Sequence, residues 1–272
     1  MRIERRTLVE GGDRAAIVIP VKDIDDDITA KCLNHLGSSS DLTMDVFLVE
    51  STGEEFSFGK SINAGIMAAA PADIVICMDS DAYPDPGAIS NLLECMGDNP
   101  KLGFAAAKVR FRDQRPQIGW VHCGLFWFLV GSLKNLAPMF AVRRLLMGKL
   151  WSFGVRSPRD YKKGEMVGAT TTTFAIRRKC FEEVGPMDER FHVSFSDQDY
   201  CYRILTSDGW YLTSCPKAVV FHDEHKTTKT PKEKREFEDL RIYLEKWSRK
   251  DIERVLRAAR KEKFIAPEND QD

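Results

Sequence analysis

Two carboxylates spaced Asp-x-Asp close an unbroken apolar run in Ile74-Val75-Ile76-Cys77-Met78-Asp79-Ser80-Asp81. A run without alternation reads as a strand buried on both faces. Pro84 and Pro86 follow and end the strand, and Pro86 suits the first turn of a helix running through Met96. In open α/β sheets the ligand crevice lies beyond the carboxyl ends of the strands. Two acids there offer oxygen ligands to a hard divalent cation, which would in turn hold a phosphorylated ligand. An acidic loop that only solvates a strand end has the same pattern, so the rest of the chain must decide between the two.

The elements around this run are those of a doubly wound sheet. Ala15 to Val21 reads as a first buried strand, and Asp25-Asp26-Asp27 opens a helix to Leu36 with Gly37 as its stop. Met44 to Glu50 is a second strand, and Ser61 to Ala70 a small-residue helix that Pro71 terminates. Strand, helix, strand, helix, strand is the α/β pattern of a Rossmann-like, mainly parallel sheet with flanking helices. Three strands then end in polar residues at one edge, Lys22/Asp23, Glu50 and Asp79/Asp81, as a nucleotide crevice requires. There is no Gly-x-Gly-x-x-Gly and no Gly-Lys-Ser/Thr phosphate loop, so the usual dinucleotide and P-loop modes are unsupported.

Further on, Phe104 to Val109 and Gly168 to Ile176 read as strands, and Cys180 to Val184 as a short helix closed by Gly185-Pro186. Ser196 or Asp197 can cap the helix that carries Asp197 and Asp199. Gly209 to Leu212 and Ala218 to His222 supply the last strands, and His222 closes its strand as Asp79 and Asp81 close theirs. From Pro231 the chain is charged with a helical period that puts Phe237, Leu240, Tyr243, Leu244 and Trp247 on one face. The segment 112–164 is the least regular; it reads as an inserted helical flap or as an amphipathic surface that meets a membrane or a lipid-linked acceptor.

Composition narrows the classes. The 272 residues are 43% hydrophobic, enough for a real core, and the net charge of -1 gives no global basic field for nucleic acid. Seven scattered cysteines form no Cys-x-x-Cys pair and read as reduced core residues of a cytoplasmic protein. The start Met1-Arg2-Ile3-Glu4-Arg5-Arg6 lacks the apolar core of a signal peptide, and no run reaches the roughly 20 apolar residues that span a bilayer.

The order of motifs resembles the family 2 glycosyltransferases of the GT-A type, closest to their rhamnosyltransferase-like branch. It rests on Ile17-Val18-Ile19-Pro20-Val21, Phe47-Leu48-Val49-Glu50, Asn63-Ala64-Gly65-Ile66 and Cys77-Met78-Asp79-Ser80-Asp81-Ala82. The second half adds Val167-Gly168-Ala169, Phe174-Ala175-Ile176-Arg177-Arg178 and Val184-Gly185-Pro186-Met187-Asp188-Glu189-Arg190-Phe191. Ser196-Asp197-Gln198-Asp199-Tyr200-Cys201-Tyr202-Arg203 and Pro216 to His222 complete the set. The resemblance implies a GT-A-type domain over 1–225, with 112–164 as an inserted acceptor segment and 226–272 as a C-terminal helical extension. The chain departs from the family's pattern at Glu50, where Asp is usual, at Ser51-Thr52-Gly53, and at Ser196-Asp197, where Glu-Asp is usual.

What the resemblance implies is an inverting, metal-dependent transfer of a sugar from a UDP-, GDP- or dTDP-sugar to a hydroxyl in polysaccharide or glycoconjugate synthesis. Asp79, Asp81 and His222 would hold Mn2+ or Mg2+, and one imidazole among oxygens tilts the choice toward Mn2+. Asp197 would be the base that deprotonates the acceptor, and burial would have to oppose the helix N-terminus that lowers its pKa. Asp199 would orient the acceptor or a neighbouring residue. Pro20, Val21, Asp23, Glu50, Lys60, Asn63 and Ser80 would join Asp79 and Asp81 around the nucleotide. The acceptor is a glycan, a lipid-linked sugar or another hydroxyl, a nucleic acid included, with peripheral contact at the inner face of the membrane. The competing readings are a nucleotidyltransferase, disfavoured by the acidic Lys22-Asp23-Ile24-Asp25 after the first strand, and a non-catalytic nucleotide-sugar-binding protein.

Overall fold

The computed structural model describes residues 1–8, 14–39, 42–52, 56–97, 99–111, 168–192, 194–223, 232–258 and 264–265. The segment 112–164, and with it the flap or membrane-surface reading, lies outside the described residues. The described strands are β1 (Arg2–Leu8), β2 (Arg14–Val21), β3 (Thr43–Glu50), β4 (Ile74–Met78), β5 (Ala82–Pro84), β6 (Leu102–Arg110), β7 (Thr173–Arg177), β8 (Tyr211–His222) and β9 (Phe264–Ile265). The helices are α1 (Asp27–Ser38), α2 (Phe58–Ala68), α3 (Ala88–Gly97), α4 (Arg178–Val184), α5 (Ser196–Thr206), α6 (Lys232–Lys246) and α7 (Arg249–Ala258).

One sheet holds all nine strands in the order β1-β3-β2-β4-β7-β6-β8-β5, with β9 beside β8. β3, β2 and β4 are parallel; β7 runs against both β4 and β6, so β6 and its parallel partner β8 share the direction of β4. The carboxyl ends of β2, β3, β4, β6 and β8 therefore meet at one edge. β1 and β5 pair antiparallel at the two flanks.

Helices cover both faces, which explains the unbroken apolar run of β4. Val75 and Cys77 pack into the layer of α2, α4, α5, α6 and α7. Ile76 and Met78 pack into the opposite layer, with α1 and α3. Each such side chain removed from water contributes roughly 1.5–3 kcal/mol, so a strand covered on both sides gains from apolar residues at every position. α2 lies so close to the sheet that a Cβ on Gly65 would stand 2.1 Å from Val18 Cγ1, so only glycine fits there. Arg177 and Arg178 tie helix ends to the sheet: Arg177 Nη2 donates to the Met96 carbonyl at 2.6 Å and Arg178 Nη2 to the Ile66 carbonyl at 2.9 Å.

Several boundaries differ from those read in the sequence. Gly37 lies inside α1, which ends in Ser39 donating from its backbone N–H to the Leu36 carbonyl. A Cβ on Gly37 would meet nothing within 4 Å, so this half-buried glycine faces open space within the last turn and is not the stop itself. α2 starts at Phe58 because Ser57 caps it by accepting from the Lys60 N–H. The strand that carries the apolar run, β4, already ends at Met78, and Pro84 is the last residue of a separate strand, β5, at the sheet edge where a missing N–H is tolerated. The two last strands are one, β8, which crosses Pro216 by a bulge: Ala107 pairs with Cys215, and the next residue, Lys108, with Val219. Neither Ser196 nor Asp197 caps α5; the cap position is Phe195, without a side-chain bond. After 226 the described residues form α6, α7 and the short strand β9, which pairs parallel with β8, so this part is not helical throughout; Leu240, Tyr243, Trp247, Ile252 and Val255 are buried in the same core as α5. No described helix is long and apolar enough to cross a membrane.

Candidate active site

At the end of β4 the backbone turns at once. The Ala82 N–H donates to the Asp79 carbonyl at 3.1 Å, and the Asp79 N–H to the Thr172 carbonyl at 2.8 Å. β5 then leaves antiparallel to β8 with Ala82 opposite His222, and the Asp223 N–H donates to the Asp81 carbonyl at 3.0 Å. The pairing of β5 with β8 is thus what brings together side chains 141 positions apart in the chain.

His222 Nε2 lies 3.1 Å from Asp81 Oδ1 and 3.9 Å from Asp79 Oδ2. One ligand atom from each of Asp79, Asp81 and His222 lies within 4.8 Å of the other two. Adjacent ligands of an octahedral ion, each ~2.1 Å from it, stand about 3 Å apart, so the spacing fits a single small divalent cation. The electrostatics also fit. Asp81 keeps only 5% of its side chain exposed. Burial pushes the Asp79 carboxyl up to about 7; His222 opposes that rise, and Asp81 and Asp197 add to it. A carboxyl that burial holds back from ionising, with further acids beside it, makes a site that a positive charge would stabilise.

The contribution of Asp197 to that rise places the fourth side chain within electrostatic reach of Asp79. Asp197 sits in the first turn of α5, after Phe195 in the left-handed region at φ 65°. It accepts from the Gln198 N–H at 2.8 Å. Burial pushes its carboxyl up to about 6 although that bond and its own N–H pull the other way. A half-enclosed carboxyl of that strength can take a proton near neutral pH.

Asp199 has a different environment. It is fully buried, accepts from Trp247 Nε1 at 2.8 Å, and forms an ion pair with Lys246 Nζ at 2.8 Å. Its partners are side chains at the end of α6 and just after it, with Arg203 of α5 at 4.0 Å, so the neighbouring-residue role fits and an acceptor role does not.

The remaining expected residues fall in three places. Pro20 and Val21 end β2 opposite Val49 and Glu50. Glu50 Oε2 accepts from the Ile24 N–H at 3.4 Å, and the exposed Asp23 accepts from the Asp25 N–H at 2.9 Å, so both brace the loop after β2. Ser80 is buried between the two metal-site acids. Lys60 is half-buried in the first turn of α2. Asn63 is buried with its amide engaged: Nδ2 donates to the Met187 carbonyl at 2.9 Å and to Glu189 Oε1 at 3.2 Å, and Oδ1 accepts from the Met187 N–H at 2.8 Å. A residue missed in the sequence is Arg110, the last of β6. It pairs with Phe221, next to His222, at the same sheet edge. Its position at the end of a parallel strand was the available signal.

Residues 14–242 match the family model described as glycosyltransferase like family 2. The chain belongs to that family. This glycosyltransferase is 26% identical over 204 residues to the N-acetylglucosaminyl-diphospho-decaprenol L-rhamnosyltransferases of two Mycobacterium tuberculosis strains, CDC 1551 / Oshkosh and ATCC 25618 / H37Rv. That match covers 66% of this chain, and the chain spans 60% of the length of those relatives. Among solved structures it is similar to GalNAc-T7 with UDP, GalNAc and Mn2+, at a TM-score of 0.50 and 13% identity, over 85% of this chain and 47% of that one. It also matches the mannosyltransferase PcManGT from Pyrobaculum calidifontis in complex with GDP-Man and Mn2+, at a TM-score of 0.49 and 10% identity, over 90% and 68% of the two chains. The fold is that of the GT-A glycosyltransferases.

Proposed function

We propose that this glycosyltransferase moves a sugar, with inversion, from a nucleoside-diphosphate sugar to an acceptor hydroxyl. Asp79, Asp81 and His222 hold Mn2+ or Mg2+, and Asp197 is the base. The observation that carries the reading is the approach of three metal-ligand atoms to within 4.8 Å at the strand edge where Asp197 is also felt. The cation supplies charge compensation on the diphosphate as the bond to the anomeric carbon breaks. Asp197 takes the proton of the acceptor hydroxyl while its oxygen forms the new bond to that carbon, and the bonding pair leaves on the diphosphate oxygen. One base, with no second nucleophile assigned among the described residues, gives a single displacement on the face opposite the leaving group, hence inversion.

The nucleotide lies along the ends of β2 and β3. Pro20, Val21, Asp23 and Glu50 meet base and ribose, and Ser80 holds the backbone between the two acids. Lys60 faces the phosphates, whereas Asn63 acts through the 187–189 turn that its amide holds. The donor is a UDP-, GDP- or dTDP-sugar. By its similarity to enzymes named for a diphospho-decaprenol substrate, the acceptor is a lipid-linked sugar. Residues 1–225 form the catalytic domain, 112–164 its acceptor-side insertion, and 226–272 a largely helical extension.

The test is a panel of UDP-, GDP- and dTDP-sugars with Mn2+ or Mg2+, read as release of nucleoside diphosphate and as the anomeric configuration of the product. Metal-dependent release with an inverted product is expected. A retained configuration, or an Asp197→Asn variant of full activity, rejects the mechanism. Binding without release would make the chain a nucleotide-sugar-binding protein.

A further inference from the structure

We infer that Asp239, on the C-terminal helix α6, is a positioning residue that aims the base-bearing end of α5; this rests on the proposal that Asp197 is the base. Asp239 is fully buried. Its Oδ1 accepts from the His192 N–H at 2.8 Å and its Oδ2 from the Ser194 N–H at 2.8 Å. One carboxylate thus grips two backbone donors two residues apart, just before α5. Charge-assisted bonds of this kind are short and directional, and two of them fix a loop's orientation as well as its place.

The next residue shows why the grip matters. Phe195 is in the left-handed region, at φ 65° and ψ −6°, without the help of glycine. A bulky residue stays there only when its surroundings over-determine the backbone. Its ring is stacked on Tyr243 at 5.0 Å and 26°. Tyr243 is one helical turn after Asp239, on the same face of α6. On the far side of the base, Asp199 is held by Lys246 and Trp247 from the end of the same helix. Both of these restraints on the chain flanking Asp197 thus come from residues 239–247. From the other direction the 191–192 backbone is tied to α2, where the Phe191 carbonyl accepts from Ser57 Oγ at 2.8 Å and the His192 carbonyl from the Phe58 N–H at 3.1 Å. A proton acceptor must lie within hydrogen-bond reach of the hydroxyl it serves, and small misplacements cost rate steeply.

The test compares Asp239→Asn with the wild-type chain on the sugar nucleotide and metal that the wild type turns over from the panel of UDP-, GDP- and dTDP-sugars. An amide in that position accepts from one N–H and opposes the other. Expected are a fall in kcat of about 10²-fold, with KM for the donor and half-saturation by Mn2+ unchanged within about twofold. Hydrogen exchange should quicken at the His192 and Ser194 amides and stay slow in β4 and β6. Asp239→Glu, which keeps the carboxylate, should recover most of the lost rate. An unchanged kcat in Asp239→Asn overturns the inference, as does a parallel loss of kcat, metal binding and global exchange protection, which would mark a merely structural role. Should Asp239→Asn not fold, Tyr243→Leu removes the ring under Phe195 while keeping an apolar core residue, and must lower kcat with KM unchanged or the inference fails. A wild-type chain that turns over no sugar nucleotide overturns the underlying functional reading, and is told apart by needing no variant.

Discussion

Asp79 and Asp81 sit on the turn between β4 and β5, and Asp197 and Asp199 sit at the same spacing in the first turn of α5. On the strand-end turn both carboxylates come to one side and join His222 within 4.8 Å. On a helix, two residues apart means roughly 200° around the axis, so the second pair is split. Asp197 stays at the crevice with its carboxyl raised to about 6, while Asp199 goes into the core to Lys246 and Trp247. The same Asp-x-Asp spacing yields a candidate cation site on one backbone and, on the other, the proposed base and a buried structural group.

That contrast can be broken most sharply at the first pair. His222→Ala, or chelation of the wild type, should lower turnover by roughly 10³-fold or more, read as nucleoside diphosphate release with and without added Mn2+. Next comes Asp197→Asn, with a loss of about 10²–10⁴-fold in transfer and unchanged nucleotide binding by calorimetry. Its thermal midpoint at pH 7 should be equal or higher. A carboxyl whose folded pKa lies above its unfolded one loses stability as pH rises between the two, and the variant has no such charge to bury.

Asp199→Asn should show the reverse pattern. It removes the buried partner of Lys246, so denaturant unfolding should reveal a loss of roughly 1–3 kcal/mol. A variant that instead kept its stability and lost only chemistry would erase the distinction between the two members of the second pair. The smallest effect is in the pH profile. Asp197 must be ionised to act, so kcat should fall toward tenfold per unit as pH drops below about 6, and this acid limb should vanish in Asp197→Asn.

Much of this arrangement was legible from the residues. A strand covered on both sides needs apolar residues at every position, so β4 and the edge where Asp79 and Asp81 emerge could be read directly. The ordered motifs singled out Asp197 and His222, and the structure brings His222 to Asp79 and Asp81. What could not be read depends on distant pairing. The helical period of the tail marks Leu240, Tyr243 and Trp247 as buried, but not that Asp239 beside them serves the backbone of 192–194. Asp199 read as orienting either the acceptor or a neighbouring residue, and the sequence left the two open because its partners, 47 and 48 positions later, are invisible locally. Gly37 and Pro84 misled for a simpler reason. Local punctuation is a weak signal, and the last turn of a helix and an edge strand both tolerate it.

The bulge in β8 has a consequence for the cation site. Before it, Leu212 faces the layer of α2 and α5 and Cys215 the layer of α1 and α3; after it, Ala218 and Val220 face the latter. β8 advances four residues where β6 advances one, so the alternation of sides is inverted and even-numbered positions change face. His222 inherits that inversion. A β8 shortened by one residue within 216–218 would restore the earlier phase and turn the imidazole away from Asp81, leaving every ligand in the sequence and none of the geometry.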